Sequence, residues 1–339
     1  MPANDDSNAF YETHYDVIGS WLLRPGTKVM LGDRSSRQCR FCGKTPPAAT
    51  FKKVAHAIPE ALGNKSIESA YECDVCNETF GQGIENDLGN WSKPMRTLAR
   101  IRGKNGVPTL KKGSNGGWRI EYGDRGFQIS SYEDDPIYSI DETARKITFT
   151  LKRDPYTPVA VLKAFMKIGL TLLPENEIAN FPHGMRWICD PDHGRQFAED
   201  FPLIYTFRPG PVTSDVLVAM TLRRKAGVTG FPYCYLVLGY GNEVFQVQIP
   251  SEQRDGDMNG QAYSIRAFPV PNAPDPALYG APKTGLLRLN SREQVRGETV
   301  DIGIGYSVGV SVDHRTWRRK LKDYARSFLL RLRALISRS

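Results

Sequence analysis

Long apolar runs are missing from this chain, and none approaches the length needed to cross a bilayer. Residues 1–30 begin acidic and set no basic flank ahead of an apolar stretch, so they lack the pattern of a secretory signal. Both absences lead to the expectation of a cytoplasmic protein with no membrane partner. Cysteine is sparse, at six in 339 residues. In a reducing compartment, paired cysteines favour a metal over a disulfide. Acidic residues are absent from Trp91 to Ile120, and no internal repeat is visible. Hydrophobic content of 40% and charged content of 24% fit a soluble globular chain of two domains or one large one. The net charge of +8 and pI of about 9.1 are consistent with a polyanion partner without establishing one.

Four of the six cysteines are paired. Cys39 and Cys42 form one C-x-x-C (QCRFCG), and Cys73 and Cys76 form a second (ECDVCN). Two such turns can each aim two thiolates at one tetrahedral Zn²⁺. Gly43 permits the tight turn that wraps backbone amides around sulfur. His56 lies between the pairs, in AHAIPEALGN. A histidine held beside a fixed metal scaffold suggests chemistry rather than packing. Cys189 and Cys234 sit alone in apolar surroundings and read as small core residues. His183 and His193 flank Cys189 and Asp190, a spacing open to a second metal but read as scattered loop residues.

The elements expected along the chain are as follows. Residues 1–38 form a lead-in with a short helix near Tyr15–Leu23. Residues 39–92 form a metal-clamped module that ends in a helical pattern, CNETFGQGIENDLGNW. In that pattern Phe80, Ile84 and Leu88 share a face. Asn77 and Glu85 also come close together, since the 77-to-85 spacing is slightly over two turns. Residues 93–120 read as a flexible basic linker. Its cations Lys93, Arg96, Arg100, Arg102, Lys104, Lys111 and Lys112 are candidates for phosphate contacts. Residues 121–339 form a larger α+β domain. Within and just before it, WRIEYGDRGFQISSY and ARKITFTLKRD read as strands, VAVLKAFMKIGLTLL and LLPENEIANF as helices, and residues 201–250 as several strands. Residues 251–300 read mainly as loop. The final stretch, HRTWRRKLKDYARSFLLRLRALIS, is an amphipathic helix with a basic face.

The segments CRFCG, AHAIPEALGN and ECDVCNETFG resemble the HNH endonucleases of the ββα-metal fold, in the subgroup stapled by two zinc-binding C-x-x-C turns. The resemblance covers about a sixth of the chain. It implies an α+β architecture and hydrolysis of phosphodiester bonds, usually in double-stranded DNA, with a divalent cation such as Mg²⁺ or Mn²⁺. Carried onto this sequence, His56 matches the general base. Asn77 matches the name-giving asparagine of the helix and is a candidate cation ligand. The family's acidic residue just before the histidine is here Ala55. The middle asparagine is also missing, with Asn64 the nearest candidate or else a shaper of the Gly63 turn. Glu60 and Glu85 are the carboxylates best placed to complete the cation's oxygen ligands.

The resemblance thus implies a nuclease, and HNH modules joined to other domains suggest bacterial restriction or anti-phage defence. Homo-oligomerisation and a small-molecule activator stay open. The alternative is an HNH-fold nucleic-acid-binding protein that has lost catalysis, which Ala55 favours. A third reading is a structural zinc protein that binds another protein.

Overall fold

The computed structural model describes residues 3–26, 28–112, 118–123, 126–130, 137–194, 202–211, 213–258, 265–270 and 275–306. The amphipathic helix expected at 314–337 lies outside the described residues. The chain divides into two compact units, Met1–Ile137 with Thr150–Asp301, and Tyr138–Phe149 with Ile302–Ser339. The class is α+β.

The first unit is built on a six-stranded antiparallel sheet. Its strands run, in spatial order, Tyr15–Leu23, Leu217–Arg224, Cys234–Tyr240, Glu243–Gln248, Pro202–Phe207 and Lys283–Arg288. Side chains alternate across a strand, and both faces of the central strands are covered. Leu236, Leu238, Phe245 and Val247 join the main core. Tyr235, Val237 and Val244 join a second cluster with Tyr11, Tyr15 and Leu222. The helix Ala3–His14 supplies Tyr11 to that second face.

Against the main core lies the helix Pro158–Leu172, with proline in its first turn and every residue buried. Its sequence predicts one apolar face. All-round burial instead follows from its place between the sheet, where Gly169 packs against Ile249 and Leu236, and the helices Ile84–Leu98 and Pro182–Ile188.

Tyr15–Leu23 is a strand rather than the expected helix. Its register runs from Tyr15 opposite Arg224 to Leu23 opposite Leu217. The aromatic and branched residues of YDVIGSWLL suit a pleated edge of the sheet, and the helix occupies Ala3–His14 instead. The segment 251–300 also holds more order than expected, with the helix Pro276–Tyr279 and the edge strand Lys283–Arg288.

The divisions expected at 39–92, 93–120 and 121–339 do not coincide with compact units. The helix Ile84–Leu98 crosses the first boundary and the strand Arg119–Gly123 crosses the second. The described part of the second unit holds a hairpin, in which Tyr138 stands opposite Phe149 and Asp141 opposite Lys146, and the end of the strand Thr299–Gly305, which makes it a three-stranded sheet.

Candidate metal centre and active site

A small sheet carries the candidate site. Ile67–Ser69 runs parallel to Val29–Leu31 and antiparallel to Ala55–His56. The turn between its last two strands is held by Asn64. The buried Asn64 amide donates to the carbonyls of Ile58 (2.7 Å) and Ile67 (2.9 Å). Its Oδ1 accepts from the backbone of Ser66 (3.0 Å) and Ile67 (2.9 Å). Gly63 beside it takes a φ of +93°, which a side chain would resist. Asn64 is therefore fully used in shaping the turn.

The ligand atoms of Cys39, Cys42, Cys73 and Cys76 lie within 4.8 Å of one another, and all four are free thiols. A tetrahedral ion about 2.3 Å from each sulfur sets the sulfurs roughly 3.8 Å apart, and the Cys42 and Cys73 sulfurs are 3.8 Å apart. The donor set thus fits a metal ion and is consistent with a structural zinc. The first pair sits on a turn closed by Gly43, at φ +70°, whose N–H donates to the Cys39 carbonyl at 2.8 Å. The second pair opens the helix Asp74–Gln82, with Cys73 at its N-cap. The positive end of that helix favours thiolate there, against burial, which raises the Cys73 thiol, and against the Cys39 contact and burial, which raise that of Cys76. A hydrogen bond from Cys76, with help from backbone amides against burial, brings the Cys39 thiol down to about 4.

His56 is half-buried on its strand, with Nε2 3.6 Å from Glu60 Oε2. Its strand partner Glu68 is ion-paired to Lys28 at 2.8 Å and to Arg34 at 3.3 Å. Burial lowers the His56 pKa below its ordinary value, against the opposing pull of Glu60 and Glu68. The imidazole is thereby held neutral at physiological pH, the form that can accept a proton.

The continuous helix expected to align Asn77 with Glu85 is interrupted. The helical pattern breaks at Gly83, whose φ and ψ of −100° and −106° separate Asp74–Gln82 from Ile84–Leu98. Asn77 lies half-buried in the first helix. Glu85 lies in the second, 2.9 Å from the buried ammonium of Lys167. Among the described residues the four cysteines are the one cluster of His, Cys, Asp or Glu ligands close enough to hold an ion. Glu60 and Glu85 join no second group of three or more such ligands among the described residues. His183 pairs with Glu252 at 2.6 Å and joins no metal cluster.

The basic residues divide into two groups. Arg96 is buried, and its guanidinium donates to Ala61 O, Gly89 O and Ser92 Oγ at 2.8, 2.7 and 3.0 Å. Buried and bonded to three oxygens inside the fold, it is not on the surface where the phosphate contacts are expected. Lys93, helical rather than in a linker, pairs with Asp154 at 2.6 Å. Arg100, Arg102, Lys104, Lys111 and Lys112 are exposed. Arg102 and Lys104 flank Gly103, which packs on the backbone of Glu60 and Ala61, so their loop lies beside the Glu60 turn.

Three residues without a local sequence signal tie this region to the rest of the fold. Lys167, from the buried helix, reaches Glu72 at 2.8 Å as well as Glu85. Its ammonium also lies 5.9 Å from the Phe41 ring and 5.6 Å from the Phe80 ring. Arg40, between the first two cysteines, donates to the carbonyls of Leu170, Thr171 and Leu173 at 2.9, 3.1 and 3.0 Å. It thereby caps the same helix at its negative end. Asp74 accepts from the backbone of Lys52 (2.9 Å) and Lys53 (2.7 Å), which fastens the approach to the His56 strand onto the Asn77 helix.

A strand-borne histidine between two thiol turns, followed by a helix, is the arrangement that comparison with known families can decide. Residues 39–92 match the HNH endonuclease family. No curated protein and no solved structure matches the chain. The HNH match points to nuclease activity in general and to nucleic acid as the partner class. No helix among the described residues is long and apolar enough to cross a membrane.

Proposed function

We propose that this chain is a metal-dependent endonuclease that hydrolyses phosphodiester bonds in double-stranded DNA, with a role in bacterial restriction or anti-phage defence. The observation that carries the chemistry is the half-buried His56, 3.6 Å from Glu60 on a strand paired with Ile67–Ser69, within the segment bounded by the two cysteine turns. In this reading His56 takes a proton from the attacking water. In-line attack leaves 5′-phosphate and 3′-hydroxyl ends. The four cysteines hold a closed Zn²⁺ that braces the fold and takes no part in the reaction.

Mg²⁺ or Mn²⁺ would supply charge stabilisation on the phosphate and on the leaving oxygen. Mg²⁺ commonly binds through one or two carboxylates together with substrate phosphates, so a preassembled cluster is not required. Glu60, beside His56, is the carboxylate placed for that role, with Asn77 a further oxygen donor. Glu85 is occupied by Lys167. The exposed cations Arg100, Arg102, Lys104, Lys111 and Lys112 would meet the DNA backbone.

The second reading, a nucleic-acid binder without catalysis, is favoured by Ala55 in place of the expected acidic ligand. Plasmid cleavage with Mg²⁺ or Mn²⁺ separates the two. General-base removal by His56→Ala should lower the rate by about 10²–10⁴-fold. Binding without cleavage by the wild-type protein under either metal would leave the binder standing.

A further inference from the structure

A basic pocket adjoins the His56 strand, and none of the cations singled out in the sequence lines it. It has a volume of about 160 Å³, and Arg34, Ser36, Arg37, Lys52, Lys53 and Glu72 are among its lining residues. Four cations thus face one carboxylate, and that carboxylate is already matched by Lys167 at 2.8 Å. Two of the cations are partly engaged, Arg34 with Glu68 at 3.3 Å and Lys53 with Glu78 at 2.9 Å. Arg37 and Lys52 are exposed and have no carboxylate partner among the described residues.

Both walls of the pocket are pinned. Asp33 accepts from the Ser35 amide at 2.8 Å, and the Ser36 amide donates to the Asp33 carbonyl at 3.1 Å, which shapes the loop that carries Arg34 and Arg37. Asp74 fixes the backbone of Lys52 and Lys53. The cations are therefore gathered before any ligand arrives. Like charges held together in this way repel one another, and an anion between them relieves that cost.

We infer that this pocket binds one phosphate of the nucleic-acid backbone, flanking the phosphate that His56 attacks. The inference rests on the nuclease reading of the HNH module. Position supports it. Val54 lines the pocket and leads directly into Ala55–His56, and Ser69 lines it while standing opposite Ala55. Extended chain advances about 3.3 Å per residue, so Lys53, three residues before His56, stands no more than about 10 Å from it. That is about three base-pair rises of roughly 3.4 Å each. Size supports it as well, since sites for whole small molecules usually span about 300–1,000 Å³. At about 160 Å³ the pocket falls below that range, which suits a single phosphate group. Arg102 and Lys104, in the loop beside the Glu60 turn, would add further phosphate contacts.

The test is salt-dependent binding of a labelled DNA duplex in Ca²⁺, with the full chain. Arg37→Ala with Lys52→Ala should weaken binding about tenfold at low salt. It should also make the slope of log K against log salt shallower by about 0.9, the share of one phosphate. Both residues are exposed, and the longer pair Arg37→Gln with Lys52→Gln should give the same loss with unchanged melting. Lys283→Ala with Arg296→Ala removes equal charge elsewhere and should change affinity less than twofold. Equal losses from the two pairs would show an effect of net charge alone and overturn the pocket. Adenosine monophosphate binding more than tenfold tighter than inorganic phosphate, and only when Arg37 and Lys52 are present, would assign the pocket to a nucleotide instead. Cleavage is read separately. A protein that cuts DNA but keeps its affinity and slope without Arg37 and Lys52 loses the pocket and keeps the nuclease. One that never cuts but shows the predicted change keeps the pocket and loses the nuclease.

Discussion

The ammonium of Lys167 lies 2.9 Å from the Glu85 carboxylate, across the seam between the metal-clamped region and the buried helix Pro158–Leu172. Glu85 is thus tied to the fold, and Glu60, 3.6 Å from His56, is the carboxylate of the two that contacts the imidazole. Glu60→Gln should raise the Mg²⁺ concentration for half-maximal cleavage by about tenfold or more. Glu85→Gln should leave that concentration unchanged while lowering stability. Metal titrations of cleavage check both, and the reverse pattern would return Glu85 to the cation.

The ion triad itself has a predictable energetic signature. Burial disfavours a charged Lys167, but Glu72 and Glu85 more than offset it and hold the ammonium charged. Removing one partner from a buried ion pair leaves an uncompensated charge, at a cost of about 3–5 kcal/mol. Lys167→Met should cost about that much in urea denaturation. Adding Glu72→Gln and Glu85→Gln should recover part of the loss, because it removes the stranded carboxylates.

Metal removal should act on stability before it acts on chemistry. Metal analysis of the purified protein is expected to find one zinc per chain. A strong chelator, or Cys42→Ser, should lower the melting temperature and abolish cleavage together. Mg²⁺ should not restore the melting temperature, because thiolates favour the softer ion. Chelation that leaves melting unchanged would remove the bracing role from the four cysteines.

Glu243 gives a pH test away from the site. It is fully enclosed in the central sheet, and burial raises its carboxyl from 4.5 to about 7 despite Arg153, a hydrogen bond from Tyr205, and Arg96. The folded state then holds the proton more tightly than the unfolded state between those values. Its contribution is fully present below pH 4.5 and is lost as pH rises through about 7. A shift of this size corresponds to about 3 kcal/mol. Glu243→Gln should therefore stabilise the protein more at pH 8 than at pH 5, read from denaturation midpoints at both.

The parts of the site legible in the sequence are those whose partners are local or whose spacing is a chemical signature. The two C-x-x-C turns fix their own geometry, and the alternation in VLVAMTLRR and EVFQVQIP announces the strands Leu217–Arg224 and Glu243–Gln248. Other features depend on residues far away in the chain. Lys167 reads as an ordinary residue of an apolar helix, because Glu72 and Glu85 adjoin it only after folding. Arg96 belongs to a run without acids, yet its guanidinium is consumed by three oxygens of neighbouring turns. The helix broken at Gly83 kept a continuous periodicity in Phe80, Ile84 and Leu88, since all three still reach one core. Tyr15–Leu23 lacked any local sign of its partner, two hundred residues away in Leu217–Arg224.

The cap that Arg40 places on the buried helix bears on how freely such a nuclease region can be exchanged between proteins. A segment cut at residues 39 and 92 would carry away Arg40, Glu72 and Glu85 without the carbonyls and the ammonium that satisfy them. It would also leave Ile84, Leu88 and Trp91 without part of the core they share with Phe165 and Phe245. Transplantation into another chain would thus require a matching helix in the recipient. Here the HNH-matching region and the buried helix depend on each other, and changes on one side of the seam constrain those tolerated on the other.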